Sequence, residues 1–152
     1  PLRRLINTEP ALEGFELVTI SNHPDADIPW SLEKVWDEIL ACDIGIVPVD
    51  LTKPEFHAKS NNRVTMFMAL GMPVICSPLQ SYLKIVRHGV NGFIAGTGEE
   101  WADCLLKLRD ENLRRTIGEA AHSMAHAEYG KEKITGELIS IFRHLLSQSK
   151  PG

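Results

Sequence analysis

The run Asp43-Ile44-Gly45-Ile46-Val47-Pro48-Val49 constrains this chain more than any other stretch. It is apolar at successive positions, not alternate ones, so as a strand it must be covered on both faces. Other short apolar runs rich in β-branched residues share its character: Phe15-Glu16-Leu17-Val18-Thr19-Ile20-Ser21, Pro73-Val74-Ile75-Cys76-Ser77 and Gly92-Phe93-Ile94-Ala95. Each predicts a strand. Between them the apolar period changes. Ser31 offers an N-cap to a helix marked by Leu32, Val35, Trp36, Ile39 and Leu40. A second helix is predicted over 62–70, stopped by Gly71, and a third is capped by Ser81 and ends near His88-Gly89. Residues 2–7 read as an opening helix, and helical periodicity runs over 99–109, 111–128 and 131–147. Strands separated by helices make βαβ units, so the predicted fold is α/β: a parallel sheet with helices on both faces and a helical C-terminus.

The bulk properties narrow the function classes. At 152 residues and 43% hydrophobic, the chain suits one domain with a single core. A net charge of −4 gives no basic face for nucleic acid. No apolar run reaches the roughly eighteen residues that a membrane span needs. The first residues lack the features of a secretory signal, although a chain opening on Pro1 reads as if cut from a longer one. Cys42, Cys76 and Cys104 are odd in number and form no CxxC pair. Each sits in or beside an apolar segment, which predicts reduced, buried thiols and a cytoplasmic protein. His122 and His126 share a helix face without the Glu of a zinc-protease helix, so no metal site is expected.

In a parallel sheet, ligands bind beyond the C-terminal ends of the strands, where loops enter helix N-termini. That rule selects 49–62 and 77–81. Ala58-Lys59-Ser60-Asn61-Asn62-Arg63 stands directly before a predicted helix. Unpaired N–H groups and the positive end of the helix dipole suit an anion there, and Lys59 and Arg63 add full charges suited to a phosphate. Ser60 or Asn61 can cap the helix. On chemistry alone, a capped helix whose bases face water remains open beside the phosphate reading.

Several of these segments occur in a recognisable order: Asp43-Ile44-Gly45-Ile46-Val47-Pro48, Lys59-Ser60-Asn61-Asn62-Arg63, Met68-Ala69-Leu70-Gly71-Met72-Pro73-Val74-Ile75, and Gly89-Val90-Asn91-Gly92-Phe93. Together they resemble the C-terminal domain of group 1 (GT4-type) glycosyltransferases, over roughly residues 28–146. The resemblance implies the Rossmann-like C-terminal half of a GT-B fold. It also implies a retaining transferase whose donor is a nucleotide-diphosphate sugar, with no further cofactor. On that reading Lys59, Ser60, Asn61, Asn62 and Arg63 would hold the diphosphate and stabilise it as it leaves. Glu55, Ser77, Leu79 and Gln80 are further possible donor contacts.

The chain departs from the family pattern in one respect. Many members carry two glutamates, the second of which usually contacts the nucleotide ribose; Ala58 and Met66 stand at those positions. Met66 reads as core packing, and Glu55 as an exposed loop carboxylate that could serve the sugar. Two other readings follow: a non-catalytic nucleotide-binding module that lost its glutamates, or half of a GT-B-like nucleotide-sugar epimerase. The resemblance further implies that residues 1–152 form one donor-binding domain without its opening strand. The N-terminal acceptor domain and its catalytic groups would lie outside, so the chain alone is expected to be inactive. The last helix crosses to that domain in relatives, so here its uncovered apolar stripe would invite self-association.

Overall fold

The computed structural model describes residues 2–148. Helix α1 (Leu2–Thr8) leads through a 3₁₀ turn at Pro10–Leu12 to strand β1 (Ile20–Ser21), then β2 (Ile28–Pro29) and helix α2 (Val35–Leu40). Strand β3 (Gly45–Val47), a 3₁₀ turn at Pro54–Phe56, α3 (Asn62–Ala69), β4 (Val74–Cys76), α4 (Gln80–Leu83) and β5 (Phe93–Ile94) follow. The chain ends in α5 (Gly98–Lys107), α6 (Glu111–Tyr129) and α7 (Lys131–Gln148). All pairing between these strands is parallel, as the alternation predicts.

The strands form two sheets, β1-β2 and β3-β4-β5. Val74, Ile75 and Cys76 of β4 are fully buried, as a strand with helices on both faces must be. One face holds a cluster of Ile6, Leu12, Ile75, Phe93, Trp101, Leu105, Leu108 and Ile117 under α1, α5 and the start of α6. The other face holds Val47, Val64, Met68, Val74, Cys76 and Tyr82, closed by Ala121 and Ala125 of α6. A third cluster joins Val35 and Ile39 of α2 to Met72, with Met66, Phe67 and Ile20 against it.

Local chemistry fixes the helix ends. Thr97 and Glu100 form a reciprocal capping box that starts α5, and Asp110 accepts from the Asn112 and Leu113 amides to start α6. The α3 helix stops where Gly71 turns to a positive φ of 72°. Buried Asn91 shapes the turn before β5: its Oδ1 accepts from the Arg87 amide at 2.7 Å and its Nδ2 donates to the Ile85 carbonyl at 3.0 Å.

Several sequence expectations need correction. The strand predicted over 15–21 pairs only at its last two residues, because an apolar β-branched run becomes a strand only beside a partner. The β2 strand was not predicted; its proline sits where only an edge strand tolerates one. Helix α2 begins at Val35, not beside Ser31, since Ser31 contributes its carbonyl to a preceding turn and not its hydroxyl to a cap. Ser81 lies inside α4, where its hydroxyl donates to the Lys59 carbonyl at 2.8 Å. Residues 98–148 follow the expected three helices closely. No residue of α7 is buried, and Ile134, Leu138, Ile141, Phe142 and Leu145 lie exposed along it.

Candidate functional site

Beyond the C-terminal ends of β3 and β4, the loop over 48–61 folds back onto α3 and α4. Ser77 fastens the two strand ends. Its Oγ accepts from the Val49 amide at 2.8 Å and donates to the Val49 carbonyl at 3.3 Å. It is 4% exposed, so this side chain is committed to the scaffold. Leu79 is 3% exposed, packs into the core and has its N–H and C=O bonded to Ser77 and to Tyr82 and Leu83, so it offers a ligand nothing directly, while Gln80 is exposed at the first position of α4.

The loop is held from inside. Asp50 accepts from the Thr52 amide and hydroxyl, and the His57 ring nitrogen Nε2 lies 2.9 Å from the Leu51 carbonyl, which accepts its proton. Phe56, half-buried, carries the Lys59 ammonium 4.1 Å from its ring centroid and that of Lys53 at 5.5 Å. Ser81 ties the Lys59 carbonyl to α4. Glu55 is exposed in the 3₁₀ turn of the same loop.

The start of α3 is the chemically open part. Neither Ser60 nor Asn61 caps it through a side chain. The physical reason is the backbone: Asn61, at φ −85° and ψ 7°, is not in the extended conformation that aims an N-cap side chain at the first-turn amides. Its amide instead donates to the Tyr129 hydroxyl at 3.1 Å, tying α3 to the end of α6. The first-turn N–H groups of Asn62, Arg63 and Val64 thus keep their capacity for an anion. Arg63 is exposed, and its charge reaches Tyr82: burial pushes that phenol up, the thiol of Cys76 adds to the rise, and Arg63 pulls it partly back. Lys59 precedes this uncapped helix start by three residues and Arg63 lies in its first turn, while Lys53 and Lys59 share the Phe56 ring.

An open groove of about 380 Å³ adjoins this start. Asn62, Thr65, Met66 and Ala69 of α3 line one side, and Ala125, His126 and Tyr129 of α6 line the other. Met66 divides its surface between the groove and the α2 cluster, so the groove wall there is largely apolar. The Asn61–Tyr129 tie and the groove were not foreseen; neither has a signal in local sequence, because both depend on where α6 lies. The thiols behave as structural groups: burial pushes Cys76 up to about 12 and Cys104 up to about 11.

No family model matches the chain. It is 30% identical over 88 residues to N-acetyl-alpha-D-glucosaminyl L-malate synthase of Bacillus anthracis, a match covering 56% of this chain and 23% of that protein. Among solved structures, sucrose-phosphate synthase of Thermosynechococcus elongatus matches with a TM-score of 0.60 and 21% identity, over 74% of this chain and 27% of that one. The C-terminal domain of a group 1 glycosyltransferase family protein (LpcC) of Francisella tularensis matches with a TM-score of 0.56 and 18% identity, over 68% of this chain and 52% of that one. Anabaena HepE in complex with UDP-glucose matches with a TM-score of 0.51 and 25% identity, over 68% and 29%. This chain therefore has the fold of the C-terminal domain of group 1, GT-B-type glycosyltransferases, and spans roughly a quarter of the length of the first full-length relatives it matches.

Proposed function

We propose that the chain is the donor-binding domain of a glycosyltransferase that takes its sugar from a nucleotide diphosphate, held by the phosphates at the start of α3. The observation that carries this reading is the uncapped first turn of α3 with Lys59 and Arg63 beside it, beyond the strand ends where such folds bind ligands. The UDP-glucose bound by HepE supports the choice of ligand. The helix dipole, the free amides of residues 62–64 and the two cations would stabilise the diphosphate as negative charge builds on it while the glycosidic bond breaks. The α3/α6 groove adjoins that position through Asn62 and is the surface we assign to the nucleoside. Ser60, Asn62, Gln80 and Glu55 are exposed and are the polar groups assigned to the rest of the donor; Ser77 and Leu79 would serve only by holding the strand ends and the start of α4 in place.

The acceptor would be bound by a second domain of the same polypeptide, so the chain alone is expected to bind donor without transferring its sugar. The apolar stripe of α7 is the surface assigned to that contact. Three free cysteines and a cytosolic donor agree with a cytoplasmic location, and no helix among the described residues is long and apolar enough to cross a membrane. A non-catalytic nucleotide-binding module is the second reading, favoured by Met66 and Ala58 where relatives carry glutamates.

A melting-temperature screen against UDP, GDP, ADP and their sugars tests the reading. A ligand at a hundredfold excess over its Kd adds about 2.7 kcal/mol of stability. One nucleotide family should raise Tm, and Lys59→Ala with Arg63→Ala should remove the rise. A rise that survives both substitutions would show that the phosphate lies elsewhere.

A further inference from the structure

Helix α2 is apolar over more of its circumference than the core covers. Val35 and Ile39 are buried against Met72 on its inner side. Leu32, Trp36 and Leu40 recur at intervals of four residues, and they are 67%, 46% and 57% exposed. The turn before α2 keeps the helical spacing, since the Lys34 and Val35 amides both donate to the Ser31 carbonyl. The three side chains therefore form one outward column about 12 Å long. Trp30, whose amide is anchored to the Ser21 carbonyl at the end of β2, is 46% exposed just before that column. Trp is among the residues enriched at the energetic anchors of protein interfaces, and this surface exposes two. Glu33 and Asp37, one residue on from Leu32 and Trp36, make a parallel exposed column. Neither forms an ion pair among the described residues. The surroundings share their sign, because Lys34 is the one Lys or Arg between Glu9 and Asp50.

We propose that this face of α2 docks a basic amphipathic helix of a partner protein. The partner's apolar stripe covers Leu32, Trp36 and Leu40, and its Lys or Arg side chains pair with Glu33 and Asp37. Charge selects the occupant. An acidic column repels the anionic surface of a membrane, whereas it steers a basic helix into register. The spacing selects its shape: a column that recurs every four residues interdigitates with the ridges of another helix. A second copy of the chain supplies no matching stripe, because its own exposed apolar helix, α7, interleaves Glu132 and Glu137 with Lys131 and Lys133. The aromatic and aliphatic column would supply most of the affinity, and the carboxylates the choice of partner. The inference rests on the surface of α2 and stands independently of the ligand proposed above.

Tryptophan fluorescence of the full chain tests it, because Trp30 and Trp36 are exposed while the third tryptophan, Trp101, is 7% exposed. The probe is a tryptophan-free Leu/Lys peptide of about 15 residues, amphipathic as a helix. It should shift the emission to the blue and saturate, and a Leu/Glu peptide of the same pattern should not. Trp36→Ala should weaken binding of the Leu/Lys peptide about tenfold or more. Glu33→Lys with Asp37→Lys should weaken it about tenfold and let the Leu/Glu peptide bind instead. All of these side chains are exposed, so the variants should keep the circular dichroism and Tm of the parent. No saturable shift, equal shifts with both peptides, or binding unchanged in the variants would overturn the proposal. A blue shift that grows with the concentration of the chain alone, or that appears with phosphatidylserine vesicles, would overturn it in favour of a second copy or a membrane.

Discussion

Replacing Gly118 with alanine should destabilise this protein, although alanine is the better helix former. Gly118 is in the interior of α6, where it passes the turn that ends α3. A Cβ there would fall well inside 3.0 Å of the Gly71 carbonyl oxygen, 3.1 Å from its carbon and 3.7 Å from Pro73 Cδ. The obstruction is backbone, held by the positive φ of Gly71 and by the buried Met72, Pro73 and Val74, so α6 must move instead. Overpacking of this kind costs about 1–3 kcal/mol, and a rigid neighbour puts the cost at the upper end. The helix-propensity gain offsets up to about 1 kcal/mol. A net loss of about 2 kcal/mol remains, equal to a fall in Tm of about 4–8 °C for a chain of this size. Gly136 in α7 supplies the control, because a Cβ there meets nothing within 4 Å. Gly136→Ala should stabilise by about 0.5–1 kcal/mol. Urea denaturation of both variants measures the pair. If Gly118→Ala proves as stable as the parent, α6 does not seat on the Gly71 turn as described.

Asn91→Ala should cost about 2–3 kcal/mol in the same assay, since it strands the buried Arg87 amide and Ile85 carbonyl. The Glu100 carboxyl is held below its usual range, first by the Gly96 amide and then by that of Thr97. A depressed folded value contributes stability above the unfolded pKa of about 4 and loses it as pH falls through the folded value, so Glu100→Gln should flatten the acid limb of a Tm–pH profile. Iodoacetamide at pH 8 should alkylate half-buried Cys42 before Cys76 or Cys104, and equal rates measured by mass spectrometry would contradict the burial of the latter two.

The elements legible in the sequence are those whose stabilisation is local or comes from one dominant face. The apolar run at 43–49 and the motif ending in Gly71-Met72-Pro73-Val74 announced β3, α3 and β4, and helical periodicity over 99–109, 111–128 and 131–147 announced the last three helices. Strand extents were not legible at 15–21, because pairing there depends on a neighbour distant in sequence. Sequence reasoning proposed an anion site at the start of α3 and side-chain capping by Ser60 or Asn61; the capping is not formed, because the backbone of Asn61 sends its side chain to Tyr129, 68 residues away. Ser77 illustrates the same limit. A serine at a strand end reads as a ligand contact, and only the fold shows its hydroxyl engaged with Val49.

The central claim is that the first turn of α3 receives the phosphates of a nucleotide. Backbone amide NMR of the chain during titration with UDP, GDP and ADP tests it directly. The account predicts that, for one of them, the largest shifts fall on Asn62, Arg63 and Val64, with smaller ones along Thr65 and Met66 in the groove. Saturable shifts that spare residues 62–64, or none with any nucleotide at millimolar concentration, would contradict it.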